Sequence, residues 1–93
     1  MKTFLISYDL GAPESRLSYT ELSNHIKSRY FTWARPVKSV WLVKSDKNAA
    51  EIRDEIKGVF DSNDKLIVVE ISGNWATYNI SKEVTDWMRI NIQ

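Results

Sequence analysis

TFLISYDLGAPESR, residues 3–16, decides how the rest of the chain is read. From Thr3 to Leu10 the side chains alternate. Phe4, Ile6, Tyr8 and Leu10 point one way, and Thr3, Leu5, Ser7 and Asp9 the other, which is the period of a β-strand. Gly11 and Pro13 end it, because neither continues a ladder comfortably. Two consequences follow. The strand has an apolar face and a second, mixed face, and a carboxylate, Asp9, stands on the second face at the mouth of a loop.

Working outward, the residues after the loop change period. Leu22, Ile26 and Tyr30 recur at i, i+4 and i+8, predicting a helix over roughly 18–31. Ser18 with Glu21 three residues later has the capping-box spacing, and Pro36 forbids the helix from running on. VKSVWLVKS (37–45) is rich in β-branched and aromatic residues and reads as a strand. FTWAR before it is either a short companion strand or the same strand bent at Pro36. A second helix is expected over roughly 47–60, capped by Asp46, with Ile52, Ile56, Val59 and Phe60 as its stripe. DSND (61–64) is a turn, KLIVVEI (65–71) a strand and SGNWATYN (72–79) a loop. Ser81 is placed to cap a last helix over roughly 82–92, with Val84, Trp87 and Met88 on one side.

This order, β-α-β(β)-α-β and then a helix, predicts an α+β fold of the ferredoxin-like βαββαβ type with an extra C-terminal helix. It reads as one domain over residues 1–93, with 72–93 as a C-terminal extension. Strands 37–45 and 65–71 are apolar on both faces: Val40 and Leu42 against Trp41 and Val43, and Leu66 and Val68 against Ile67 and Val69. Two helices cover one sheet face only. The other must meet the last helix or a second subunit, and the expectation here is a homodimer through that open face.

Composition narrows the function classes. Hydrophobic residues are 43% and charged residues 27%, which suits a globular chain and argues against disorder. There is no cysteine, hence no disulfide framework and no thiolate metal site. No stretch approaches the ~18 apolar residues of a membrane span, and Tyr8-Asp9 interrupts the first apolar run too early for a signal peptide. The expectation is a cytoplasmic protein without a membrane. Charge is unevenly placed. Between Leu22 and Ser45 the charged residues are all basic: Lys27, Arg29, Arg35, Lys38 and Lys44. Such a band is either an anion or nucleic-acid surface or a solvated face with lysines guarding a strand edge.

Chemistry-bearing motifs are few. The glycines are scattered, so there is no phosphate-cradling loop. His25, the one histidine, lies mid-helix with no paired ligand, which favours a structural role. The four tryptophans, Trp33, Trp41, Trp75 and Trp87, are core or interface anchors, unless an exposed one stacks on a base. Asp9 has two readings. As a loop cap it would accept backbone N–H groups of DLGAP. Alternatively, two copies meeting across a two-fold axis would bring two Asp9 carboxylates together, where they could share a Mg²⁺ ion suited to phosphodiester hydrolysis.

FLISYDL, followed by a helix and then ARPVKSVWLVKS, resembles the small CRISPR-associated adaptation protein family, the dimeric partner of the CRISPR integrase. It is also similar to VapD-type toxins, and looks nearest to stand-alone SinR-like members. The family begins with an apolar strand ending in Tyr-Asp, matched here by Tyr8 and Asp9. It later carries an Arg and then a Ser-Val-aromatic, matched by Arg35 and Ser39-Val40-Trp41, with Lys38 on the variable position between them. Two departures stand out: Pro36-Val37 replaces the usual hydrophobic-Gln pair, and from Ser72 a Trp-bearing helix replaces a short exchanged strand. The resemblance implies a ferredoxin-like homodimer that acts on RNA or DNA as a Mg²⁺-dependent endonuclease or as a non-catalytic scaffold. It implies a metal site at Asp9 shaped by Tyr8, and nucleic-acid contacts from Arg16, Arg35, Lys38 and Ser39.

Overall fold

Leu5 and Phe4 are neighbours in sequence and face different cores. A computed structural model of the chain describes residues 1–11 and 19–93. The elements are β1 (Lys2–Asp9), α1 (Tyr19–Arg29), β2 (Trp33–Val37), β3 (Val40–Ser45), α2 (Ala49–Lys57), β4 (Lys65–Ile71) and α3 (Lys82–Asn91). The four strands form one antiparallel sheet in the order β2-β3-β1-β4. The result is a small α+β fold with three helices among the described residues.

The alternation along β1 places Phe4, Ile6 and Tyr8 under α1 and α2. There they pack with Leu22, Ile26 and Tyr30, with Ile52 and Ile56, and with Trp41 and Val43 from β3. The helices present these residues because Leu22 and Ile26, and Ile52 and Ile56, lie four apart on one face of each. A second, smaller core lies on the other side of the sheet. There Leu5, Leu42 and Ala34 meet Val84, Met88 and Ile92, with Trp75, Ile80 and Trp87 packed around them. The second sheet face is therefore covered in part by the chain's own α3. The Trp87 indole N–H fastens the helix to the β2 side by donating to Thr32 Oγ1 at 2.8 Å. The Thr3 hydroxyl fastens it to β1 by donating to the Asn91 carbonyl.

Cover by α3 is incomplete. The register aligns Ser7 with Val40 and with Ile67, and Val40 with Val37. This row crosses the second face beyond α3. Ile67 is 58% exposed, and Val69 one row over is 42% exposed.

Several element ends differ from the sequence expectation. α2 is capped by Asn48, not by Asp46. The Asn48 side chain accepts from Glu51 N at 2.9 Å and Glu51 Oε1 accepts from Asn48 N at 3.1 Å, a reciprocal box that Asp46 has no partner to form. α2 ends at Lys57, so Val59 lies past the helix and is exposed. Only Trp33–Arg35 of FTWAR join a separate strand, β2, which takes Val37 from the expected strand 37–45; Lys38 and Ser39 turn, β3 starts at Val40, and the pairing shifts between Ala34 and Val37. Pro36 sits in that irregular edge stretch, where a missing N–H costs no ladder bond. Ser81 caps α3 as expected, accepting from Val84 N. The expected Ser18 cap of α1 lies outside the described residues. Gly11 has a steric reason to be glycine: a Cβ there would meet Asn63 Cβ at 2.5 Å.

One polar group is built into the first core's rim. Glu55 on α2 accepts from the Tyr30 hydroxyl at 2.8 Å and pairs with Lys47. Burial pushes its carboxyl pKa up, but the bonds from Lys47 and Tyr30 outweigh that and hold it below the ordinary value. Burial and the same carboxylate raise the Tyr30 hydroxyl well above its ordinary value, so it stays a donor. His25 Nε2 lies 3.2 Å from the Glu55 carbonyl, so the single histidine joins α1 to α2. A depressed carboxyl contributes stability above the ordinary carboxylate range and loses it as pH falls through the folded-state value. Glu55→Gln is expected to cost roughly 1–2 kcal/mol at pH 7. The gap from wild type in urea midpoint should narrow as pH falls below the ordinary carboxylate range.

Candidate functional site

The β2–β3 hairpin turns at Lys38 and Ser39, and its geometry is fixed by one carbonyl. Lys38 O accepts from Arg35 Nε at 3.1 Å, from Arg35 Nη2 at 2.7 Å and from the Tyr8 hydroxyl at 3.3 Å. The same Tyr8 oxygen accepts from the Trp41 indole N–H at 3.0 Å. Tyr8 N donates to Ser39 O at 3.2 Å, so Ser39 takes part through its backbone. Tyr8 is buried, and its ring lies against Tyr19 and Phe60. It acts on the surface from beneath, by holding the turn that carries Arg35 and Lys38.

Aromatic rings set the cations in place. The Arg35 guanidinium lies 4.8 Å over the Trp41 ring, and Lys38 Nζ lies 4.8 Å over Tyr19. Beside them Lys27 Nζ lies 5.2 Å over Trp33. A cation over an aromatic face is attracted by the ring quadrupole, which orders a long side chain without neutralising it. Among the described residues neither Arg35 nor Lys38 pairs with a carboxylate.

Arg35, Pro36, Val37 and Lys38 form one wall of a cleft of about 480 Å³, and Tyr19, Thr20 and Ser23 from the start of α1 form the other. The first turn of a helix carries partial positive charge. Two cations with no carboxylate partner among the described residues and that helix end therefore face one space, an arrangement that suits an anion such as a phosphate. Arg16, expected to contribute here, lies outside the described residues.

Asp9 does not line this cleft. Alternation sends it to the opposite sheet face, where it is exposed and paired in register with Lys65. With Ser7, Lys65 and Ile67 it lines a hollow of about 220 Å³. It has no hydrogen-bond or ion-pair partner among the described residues. Gly11, just past β1, donates its N–H to another carboxylate, Asp64 Oδ1, while Asp64 Oδ2 accepts from Asp61 N, both at 2.9 Å; the rest of the loop that Asp9 was expected to cap lies outside the described residues. Among the described residues no three His, Asp or Glu side chains cluster as a metal site.

Sequence reading picks out Arg35 and Lys38 but not the aromatic partners that order them. Tyr19 sits at the helix start, and Trp33 on a strand of uncertain extent, so neither stands out by pattern. No known family model, curated protein or solved structure matches the chain. Among the described residues no helix is long and apolar enough to cross a membrane.

If the Tyr8 hydroxyl holds the turn, Tyr8→Phe leaves the Trp41 N–H without its acceptor and removes one donor from Lys38 O. The expected cost is roughly 1–2 kcal/mol, read as a lower urea midpoint with unchanged slope. An unchanged midpoint would mean that this hydroxyl holds nothing.

Proposed function

We propose that the chain binds nucleic acid through its phosphate backbone, with Arg35 and Lys38 as the principal contacts. The observation that carries this reading is their placement: two ring-ordered cations, without carboxylate partners among the described residues, on one wall of a cleft whose other wall is the start of α1. Such contacts are sequence-independent and strongly salt-dependent. Ser39 helps by fixing the turn, and Arg16, in the stretch just before α1, belongs to the same proposed surface.

The proposed scaffold is a ferredoxin-like sandwich of the kind found in the CRISPR-associated adaptation protein family that the chain resembles. The strand order, read from the other edge as β4-β1-β3-β2, supports it, as does the packing of α1 and α2 on one face. A homodimer is part of the same proposal. The uncovered row of Val37, Val40, Ser7 and Ile67 gives it an apolar surface, and α3 limits where a second copy can sit.

A second reading is a Mg²⁺-dependent endonuclease on RNA or DNA. It is favoured by Asp9, an exposed carboxylate with no partner among the described residues. Carboxylate oxygen suits Mg²⁺, which when bound polarises a phosphate and lowers the pKa of a water. A second copy's Asp9 would have to supply the paired ligand.

Two experiments test these readings. Binding of a labelled single strand and of a duplex should weaken steeply with salt, and Arg35→Ala and Lys38→Ala should each lower the log–log salt slope by about one. Binding with no salt dependence, or equal binding by the double variant, rejects the backbone reading. Cleavage of labelled RNA and DNA with and without Mg²⁺, by wild type and Asp9→Asn, separates enzyme from scaffold. On the scaffold reading, both proteins bind alike and neither cuts. Mg²⁺-dependent cutting lost in Asp9→Asn assigns the enzyme.

A further inference from the structure

Leu42, Met88 and Ile92 belong to the second core, yet together they line an open hollow of about 450 Å³ on that side of the sheet. Leu5 and Ile71 from the strands and Trp75 from the stretch after β4 complete its apolar walls and are only half-buried. Folded interiors keep few voids larger than a water molecule, because unfilled apolar space forfeits packing contacts. This space equals the liquid volume of roughly fifteen waters. It falls within the range of about 300–1,000 Å³ typical of small-molecule sites. Gly73 N donates to the Gln93 carbonyl at 2.9 Å, which ties the stretch carrying Trp75 to the chain just past Ile92. Two of the walls are therefore joined to each other.

The walls select the occupant. Apart from aliphatic groups they offer the Trp75 indole and the Met88 thioether, and both favour an aromatic ring. Charge is missing from them. Glu70 borders the hollow, but it pairs in register with Phe4, so its side chain turns to the first face, where Lys2 Nζ lies 3.9 Å away. An ionised ligand would give up its water here and find no counter-charge. Ser72 and Asn74 also line the hollow. They are exposed, and their side chains have no hydrogen-bond partner among the described residues. A hydroxyl and a carboxamide each donate and accept, which suits one neutral polar group on the ring. A second copy of the chain is a poorer occupant. The apolar side chains exposed on this face, Val37, Ile67 and Val69, stand on the sheet itself. A sheet laid against a sheet bridges a concave hollow without filling it.

We infer that this hollow, between the sheet and α3, binds a small neutral aromatic molecule. Its ring lies against the apolar walls, and its polar group bonds to Ser72 and Asn74. The site is separate from the Arg35–Lys38 cleft and does not depend on the nucleic-acid reading.

The chain carries its own reporter. It has two methionines; Met88 lines the hollow, and Met1 lies elsewhere, paired through its amino group with Asp46. Methionine methyl groups labelled with ¹³C therefore give one signal in the site and one outside it. The probe is 2-naphthol, with 2-naphthoate as its charged counterpart, added to the intact chain. 2-Naphthol should shift the Met88 signal along a saturating curve with Kd below about 1 mM, which a ligand of this size can reach. The Met1 signal should stay in place. 2-Naphthoate should bind at least about tenfold more weakly. Ile71→Trp, which fills the hollow from a half-buried position, should abolish the Met88 response, with circular dichroism confirming the fold. Replacing both Ser72 and Asn74 by Ala should weaken 2-naphthol about three- to tenfold. A Met88 signal that 2-naphthol leaves in place overturns the site, as does an equal shift at Met1. Equal affinity for 2-naphthoate, or unchanged affinity in either variant, overturns it too. A Met88 shift that follows protein concentration and not 2-naphthol gives the hollow to a second copy and overturns the inference.

Discussion

Leu5 and Leu42 point away from α1 and α2, and water is a poor neighbour for them. This constraint, a central pair of strands apolar on both faces, governs the rest of the molecule. One face is closed early in the sequence by the i, i+4 stripes of α1 and α2. The other needs a third helix, so the chain beyond β4 returns under the sheet with Val84, Met88 and Ile92 inward. Burial of each such side chain contributes roughly 1.5–3 kcal/mol. Placing α3 there also leaves a hollow of about 230 Å³ between its first turns and the β2 edge.

The fold was largely legible because its elements obey local rules. KLIVVEI is bounded by a turn and a loop, and β4 spans those same residues. Ser81 is a good cap followed by a stripe, and α3 starts after it. The cap of α2 was less legible. Asp46 and Asn48 are both good capping residues, and what separates them is Glu51, three positions past Asn48. The cover of the second face was not legible in kind. Periodicity says that Leu42 and Val40 need cover, but not whether it comes from the same chain. That depends on where a helix some forty residues later in sequence docks.

The site was legible in its charges and not in its order. Arg35 and Lys38 belong to a run without acidic residues, which reads either as an anion surface or as a solvated face guarding a strand edge. What makes it a site is tertiary. The rings of Trp41 and Tyr19 lie beneath the two cations, and one carbonyl is gripped by Arg35 and by the buried Tyr8 hydroxyl. The carboxylate that accepts from Gly11 N comes from Asp64, 53 positions further on. Windowed patterns do not reach that far. Asp9 stands out by its position in the sequence, and the structure adds that it is exposed and has no hydrogen-bond or ion-pair partner among the described residues.

The bond from the Thr3 hydroxyl to the Asn91 carbonyl spans 88 positions. A contact so distant in sequence forms late, because the intervening chain must first lose its freedom. During synthesis, β1 emerges long before α3 exists to cover it. Leu5 and Leu42 are then a greasy, unpaired surface on a half-built molecule, the kind of surface that holdase chaperones shield and that invites aggregation. The order of synthesis therefore leaves the second face exposed longest, and the finished protein closes only the part of it that α3 covers.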